Sequence, residues 1–194
     1  MRRVTVISLI VMFIATSQLP AENLFGEFRR LPDEIEKGFY IGADVGISIL
    51  NGAVDGTAPA ETTTNPGTTL SFNMGYDITK NISIESLFGF AIHEASPQDP
   101  QLEGGVNFFS GNLLLKLQKP IGRWNPFVAA GGGVVFTGPE FVDGEKYKMS
   151  IAGAAGIEYY TLLRHYSLYF KINYFQFDLP VNMISPAFGI KYTF

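Results

Sequence analysis

The chain has 194 residues, 16% of them charged and 14% aromatic, with a formal net charge of −4. That length suits one domain, the charge is well below the roughly 25% of an ordinary soluble domain, and the near-neutral balance gives no nucleic-acid footprint. With no cysteine, disulfides, thiol catalysis, cysteine-based zinc sites and an acylated N-terminal cysteine are all excluded.

The first residues, "MRRVTVISLIVMFIATSQLPAE", place Arg2 and Arg3 ahead of an apolar run from Val4 to Ala15. The run is too short to cross a bilayer as a helix, which needs about 20 residues. A basic start, a short apolar stretch and small residues after it describe a secretory signal peptide over residues 1–21. Cleavage is expected after Ala21, with Ala15 and Ser17 marking a second site. Residues 22–37 follow as a periplasmic segment. Leu24, Phe28, Leu31 and Ile35 recur there with the spacing of a short helix, interrupted by Pro32. This segment reads as a linker on the membrane surface or as a docking element for a periplasmic partner.

From residue 38 to 194 the pattern changes to alternation with a period of two, which sends successive side chains to opposite faces of a strand. "FYIGADVGISIL" sets Phe39, Ile41, Ala43, Val45, Ile47 and Ile49 against Tyr40, Gly42, Asp44, Gly46 and Ser48. "TLSFNMGY" sets Leu70, Phe72, Met74 and Tyr76 against Ser71, Asn73 and Gly75. Ile82, Ile84, Phe88, Phe90 and Ile92 oppose Ser83, Glu85 and Gly89. Phe109, Leu113, Leu115 and Leu117 oppose Ser110, Asn112, Lys116 and Gln118. "PFVAAGGGVVF" alternates only weakly. Met149, Ile151, Ile157 and Tyr159 oppose Ser150, Ala152, Ala154 and Glu158, and Leu168, Phe170, Ile172 and Tyr174 oppose Tyr169, Lys171 and Asn173. The last strand, "PAFGIKYTF", ends on Phe194.

Short connections at 77–81, 119–125 and 161–165 alternate with longer ones at 51–67, 93–103, 138–146 and 178–185. The fold class expected is therefore all-β, an eight-stranded antiparallel up-and-down transmembrane β-barrel with short periplasmic turns and longer extracellular loops. Closure removes sheet edges that lipid could not hydrogen-bond. A soluble barrel or sandwich would turn the apolar set inward and leave a poorly charged exterior of Gly, Ser, Ala and Asn.

Three groups of residues stand out. Asp44, Glu85 and Glu158 share the inward parity with Lys116, Lys171 and Lys191. Three acids facing three bases in so narrow a barrel point to a paired lumen network, because unpaired buried charge is costly. One inner wall is slim, made of Ala129, Gly131, Gly133, Ala152, Ala154 and Gly156, with Tyr169 and Lys171 opposite to fill the space. Tyr76, Trp124, Tyr159, Tyr166 and Tyr192 fall beside the short turns, where a periplasmic aromatic girdle belongs. Charge divides by side as well. The long loops carry Asp55, Glu61, Glu94, Asp99, Glu103, Glu140, Asp143, Glu145 and Asp178 against Lys146, while the short turns carry Lys80, Lys119, Arg123 and Arg164 against Asp77. The acidic residues lack the spacing of a calcium loop, "GGG" at 131–133 has no following helix to cradle a phosphate, and no cofactor is expected.

The final strand resembles the C-terminal signal strand of bacterial outer-membrane proteins, with Phe188, Ile190, Tyr192 and Phe194 in the matching places. The resemblance implies recognition by the barrel assembly machinery and residence in the outer membrane of a Gram-negative bacterium. In layout the chain resembles the membrane domain of OmpA and OmpW-type barrels, and "EKGFYIGADVGIS" (36–48) resembles outer-membrane gliding-motility proteins of the CglE type. His165 and Ser167, two apart, resemble the spacing of lipid A deacylases, but no Glu in the next strand orients His165; His93 and Ser96 lie where the third strand meets its loop, and both histidines read best as interfacial or loop residues. Three functions follow in order: a non-enzymatic structural or interaction component, with outer-membrane lipid and a periplasmic or cell-surface protein as partners; a narrow channel for ions or small apolar solutes; and a lipid-modifying enzyme.

Overall fold

The computed structural model describes residues 38–51, 66–93, 106–138, 146–161, 165–177 and 181–194. The signal-peptide and N-terminal segment assignments at 1–37 lie outside these residues, as do most of the long loops and Arg164. Eight strands run in chain order: β1 (Phe39–Asn51), β2 (Gly67–Asp77), β3 (Ile82–His93), β4 (Val106–Gln118), β5 (Trp124–Gly138), β6 (Tyr147–Tyr160), β7 (Tyr166–Gln176) and β8 (Asn182–Thr193). Each pairs antiparallel with the next, and β8 pairs with β1 to close the barrel. Following cross-strand partners from Tyr40 through Gly75, Glu85, Leu114, Gly131, Ala152, Phe175 and Met183 returns to β1 at Leu50. That stagger of ten residues along β1 tilts the strands and sets the narrow bore.

The alternation of the sequence maps directly onto the two faces. Val45, Leu70, Phe72, Leu113, Leu115, Ile151, Phe170 and Phe188 are all exposed on the outside, Leu113 at 59% and Ile151 at 68%. Ser71, Asn73, Glu85, Asn112, Lys116, Glu158, Lys171 and Lys191 are buried inside. A water-soluble barrel has the reverse arrangement. Leaving one such apolar side chain in water forfeits roughly 1.5–3 kcal/mol, and the exposed set continues around the whole barrel, so hydrocarbon is the solvent that this face fits.

Three expectations about the connections are corrected. β8 begins at Asn182, so the fourth long loop shrinks to 177–181, no longer than 161–165. Strand pairing runs further than the last apolar–polar alternation because Asn182 and Met183 pair with Asn51 and Leu50. Asp77, expected in a turn, is the last residue of β2 and points into the barrel. Trp124 likewise opens β5 rather than closing the preceding turn.

The slim wall has a local cause. A Cβ built on Gly131 would strike the Leu113 carbonyl and the backbone of Leu114, and one on Gly133 would strike the Gly111 carbonyl. The β4–β5 seam brings these backbones too close for any inward side chain. Outward Gly111 is different, since a Cβ there would make ordinary contacts with Phe88 at 3.7 Å. Gly131→Ala should therefore lower stability in urea by about 1–3 kcal/mol, the usual cost of overpacking, whereas Gly111→Ala should stay within about 0.5 kcal/mol. Equal urea midpoints for the two variants would refute this account of the seam.

Candidate functional site: the barrel lumen

The lumen divides into two unlike ends. At the short-turn end, all six charged residues selected by parity lie inside and meet one another. Lys171 Nζ lies 2.7 Å from Asp44 Oδ2, and Lys191 pairs closely with Glu158. Lys116 bridges Glu158 at 3.6 Å and Glu85 at 3.9 Å. Neutral donors complete the carboxylates: the Tyr40 hydroxyl donates to Glu85 at 2.9 Å, the Tyr169 hydroxyl to Asp44 at 2.9 Å, and Ser167 to Glu158 at 2.5 Å. Asn73 reaches Glu85 and Asn125 reaches Glu158, each at 3.4 Å.

Aromatic rings hold this network in place, and glycines on the adjoining strands make room for them. Tyr40 lies over Gly75, Tyr169 over Gly189 and Phe127 over Gly156, each ring occupying the space that a Cβ on its cross-strand partner would need. Lysine ammonium groups then rest on the rings. Lys116 Nζ is 4.3 Å from the Phe127 centroid and Lys191 Nζ is 4.7 Å from that of Tyr40. Each cation thus sits between a carboxylate and an aromatic face, both favourable to it in a water-poor site. Phe127 lies against Gly156 of the slim wall, whereas Tyr169, expected to fill the space opposite that wall, turns to Gly189, Asp44 and Asn73.

A fourth acid joins this end. Asp77 accepts from Gln118 Nε2 at 3.2 Å and from Ser83 Oγ. Among the described residues, all four side-chain carboxylates, Asp44, Asp77, Glu85 and Glu158, are inside the barrel. The inward parity of Asp77 with Ser71, Asn73 and Gly75 was visible in the sequence; its place next to a turn concealed it.

The opposite end of the lumen is apolar. Leu50, Phe108, Val135, Phe175, Phe177, Val181 and Met183 form a buried cluster, with Phe108 stacked on Phe177 at 5.2 Å. His93 belongs here too, which corrects its reading as a loop or interfacial residue. It is fully buried as the last residue of β3, shares a 2.9 Å hydrogen bond with Ser48 Oγ, and meets the Phe108 ring edge-on at 5.8 Å. Ser96 lies outside the described residues. The apolar plug escaped the alternation test because both parities are apolar near these strand ends, as in "SIL" and "NFF".

The other two groups lie on the outer surface. Tyr76, Trp124, Tyr159, Tyr166 and Tyr192 all face outward at the short-turn end, where Trp124 packs on Tyr159 at 4.8 Å and Tyr166 on Tyr192 at 4.9 Å. Phe188, Ile190, Tyr192 and Phe194 line the outer face of β8 and its end, with Phe194 against Phe39 and Tyr192. His165 and Ser167 diverge. His165 Nδ1 contacts the Thr193 carbonyl at 2.8 Å, while Ser167 is buried and donates to Glu158, so the two do not form a nucleophile–base pair. Among the described residues no cluster of three metal-ligating side chains occurs.

No protein-family model matches the chain, and no curated protein matches it either. Solved structures do. Neisserial surface protein A aligns at a TM-score of 0.61 with 12% identity, covering 81% of this chain and 97% of its own. The N-terminal β-barrel domain of Pseudomonas aeruginosa OprF aligns at 0.53 with 12% identity, covering 81% and 98%. The outer membrane enzyme PagL is more distant, at 0.48 with 15% identity, covering 80% and 99%. None of these bears on the resemblance of residues 36–48 to CglE-type gliding proteins. At such identities the likeness is one of fold: this chain has the closed eight-stranded antiparallel barrel that these outer-membrane proteins have.

Proposed function

We propose that the chain is a non-enzymatic integral barrel of a Gram-negative outer membrane, acting as a structural or interaction component rather than as a pore. The observation that carries this reading is the filled lumen, with a paired charge network at one end and an apolar plug at the other. The apolar exterior supports the membrane placement. In this reading residues 1–21 direct export, the Phe188–Phe194 strand engages the assembly machinery, the short turns face the periplasm, and the acidic loops and residues 22–37 meet a protein partner. The divergence of His165 and Ser167 argues against the deacylase alternative. A channel stays the second reading only through a cavity with room for about one water, which Phe90, Ala91, Phe108, Phe175, Phe177 and Met183 line together with Thr69, Ser71, Ser110 and Ser185.

Conductance separates the two. The refolded chain in planar bilayers should give no single-channel steps, and regular ion-conducting steps would replace the structural reading with the channel. The network itself is testable by removing one partner. Lys171→Met leaves Asp44 buried without its cation and should cost about 3–5 kcal/mol in urea unfolding. Ile172→Leu, on the lipid side, should cost less than about 1.5 kcal/mol. Joining Lys171→Met with Asp44→Leu should recover most of the loss, because the pair is then removed together. Unchanged stability in Lys171→Met with a rise in conductance would mean a wet, open lumen.

A further inference from the structure

With Asp77 turned into the lumen, the described side chains on the outer rim at the short-turn end carry one sign of charge. Lys80 is exposed in the β2–β3 turn, and Lys119 and Arg123 are half-exposed in the β4–β5 connection. These two turns form one continuous arc. Asn81 and Gln118 exchange hydrogen bonds of 2.9 Å, from the Gln118 N–H to the Asn81 carbonyl and from Asn81 Nδ2 to the Gln118 carbonyl. The Tyr160 N–H in turn donates to the Arg123 carbonyl at 2.9 Å. No described side-chain carboxylate faces this arc, since all four are inside the barrel.

The geometry around Arg123 is built rather than loose. Ile121 and Trp124 pair across a two-residue hairpin tip, and Gly122 takes a φ of 61° there, a conformation that favours glycine. Arg123 is thereby held at the tip, with Nη1 3.5 Å from the Tyr159 hydroxyl, beside the Trp124–Tyr159 pair. Ile78 and Ile121 are exposed at 49% and 44% next to the cations. Cations, amphipathic rings and exposed aliphatic side chains gathered at one rim suit the zone of a lipid leaflet where phosphate and acyl chain meet.

We propose that the β2–β3 and β4–β5 turns form a binding site for the phosphodiester headgroup of an anionic phospholipid in the leaflet that surrounds the short-turn end. Arg123 supplies the planar fork that suits a phosphate, Lys80 and Lys119 add charge, and Ile78, Ile121, Trp124 and Tyr159 hold the acyl and glycerol region. The exposed Ile78 and Ile121 are what select a lipid over a free anion. This inference rests on the membrane-spanning reading above but deepens it to one lipid class.

The test uses the folded full chain, delipidated in detergent, with phosphatidylglycerol, phosphatidylcholine and inorganic phosphate as probes and native mass spectrometry as the readout. Phosphatidylglycerol should be retained in preference to phosphatidylcholine, and inorganic phosphate should not displace it. Lys80→Gln, Lys119→Gln and Arg123→Gln should each weaken retention by roughly fivefold, and the triple variant should lose the preference. Lys146→Gln, at the opposite end, should leave it unchanged. The shift of the unheated band on gels reports folding separately, so a folded barrel without lipid preference sinks this inference alone, whereas a chain that never enters a bilayer sinks the membrane reading. Should the triple variant fold poorly, Arg123→Gln alone decides. Equal retention of the two lipids would overturn the proposal and leave an acidic protein surface as the partner of these cations. Displacement by inorganic phosphate, or an unchanged preference in the folded variants, would overturn it as well.

Discussion

In hydrocarbon there is no water to receive the N–H and C=O groups of a free strand edge, and each group left unpaired there costs several kcal/mol. The pairing of β1 with β8, from Tyr40 with Thr193 to Asn51 with Asn182, is therefore the contact on which the rest depends. Closing eight strands with a stagger of ten residues fixes a bore too narrow to be left to water alone. Everything inside follows from how that bore is filled. At the β4–β5 seam the backbones approach so closely that Gly131 and Gly133 have no room for a side chain. Elsewhere, inner glycines give their space to rings from the strand beside them, which turns a gap in one strand into packing for its neighbour.

The interior charges make sense only within this frame. Lysine and glutamate are rarely buried without partners, and here Lys116, Lys171 and Lys191 each have a carboxylate on another strand. The pairs link β1 with β7, β4 with β3 and β6, and β8 with β6. They therefore tie strands across the lumen that do not pair in the sheet as well as some that do. A buried ion pair adds little net stability over an apolar pair of similar shape. Its effect here is to make registry costly to change, because slipping a strand by one residue would send a charge into lipid. The apolar end has no such demand, and it is filled by stacked Phe rings and aliphatic side chains.

Much of this was legible from alternation alone. A period of two, sustained from Phe39 to Phe194, identified eight strands and which face of each is apolar, including the weakly patterned β5, where parity still placed Ala129, Gly131 and Gly133 inward. It located the six charged residues on one face, although distances and pairings need the stagger of the closed sheet, which no local pattern encodes. It failed where the signal itself disappears. Near the long-loop ends both faces are apolar, so residue type did not set Phe108, Phe175 and Met183 apart from the lipid-facing side chains, although extending the parity of β3, β4 and β7 puts His93, Phe108 and Phe175 inside. Asp77 fell in the short connection 77–81 because the alternating run was read only as far as Tyr76, and β8 starts earlier than its first apolar residues implied. Tyr169 was legible as an inward, space-filling ring, but the seating of lysines on Tyr40 and Phe127 was not, because each ring needs a glycine on the next strand, a relation across the sheet rather than along the chain.

The central claim is that one parity of every strand meets lipid and the other meets a packed lumen. Because the chain has no cysteine, single cysteines introduced along β4 from residue 107 to 117 give unambiguous spin-label sites. Collision with oxygen, which concentrates in hydrocarbon, should be measured for the protein reconstituted in bilayers. The account predicts high oxygen accessibility at 109, 113, 115 and 117, low accessibility at 108, 110, 112 and 114, and therefore a period of two. A period of two with the opposite phase, or accessibility that does not alternate, would contradict it.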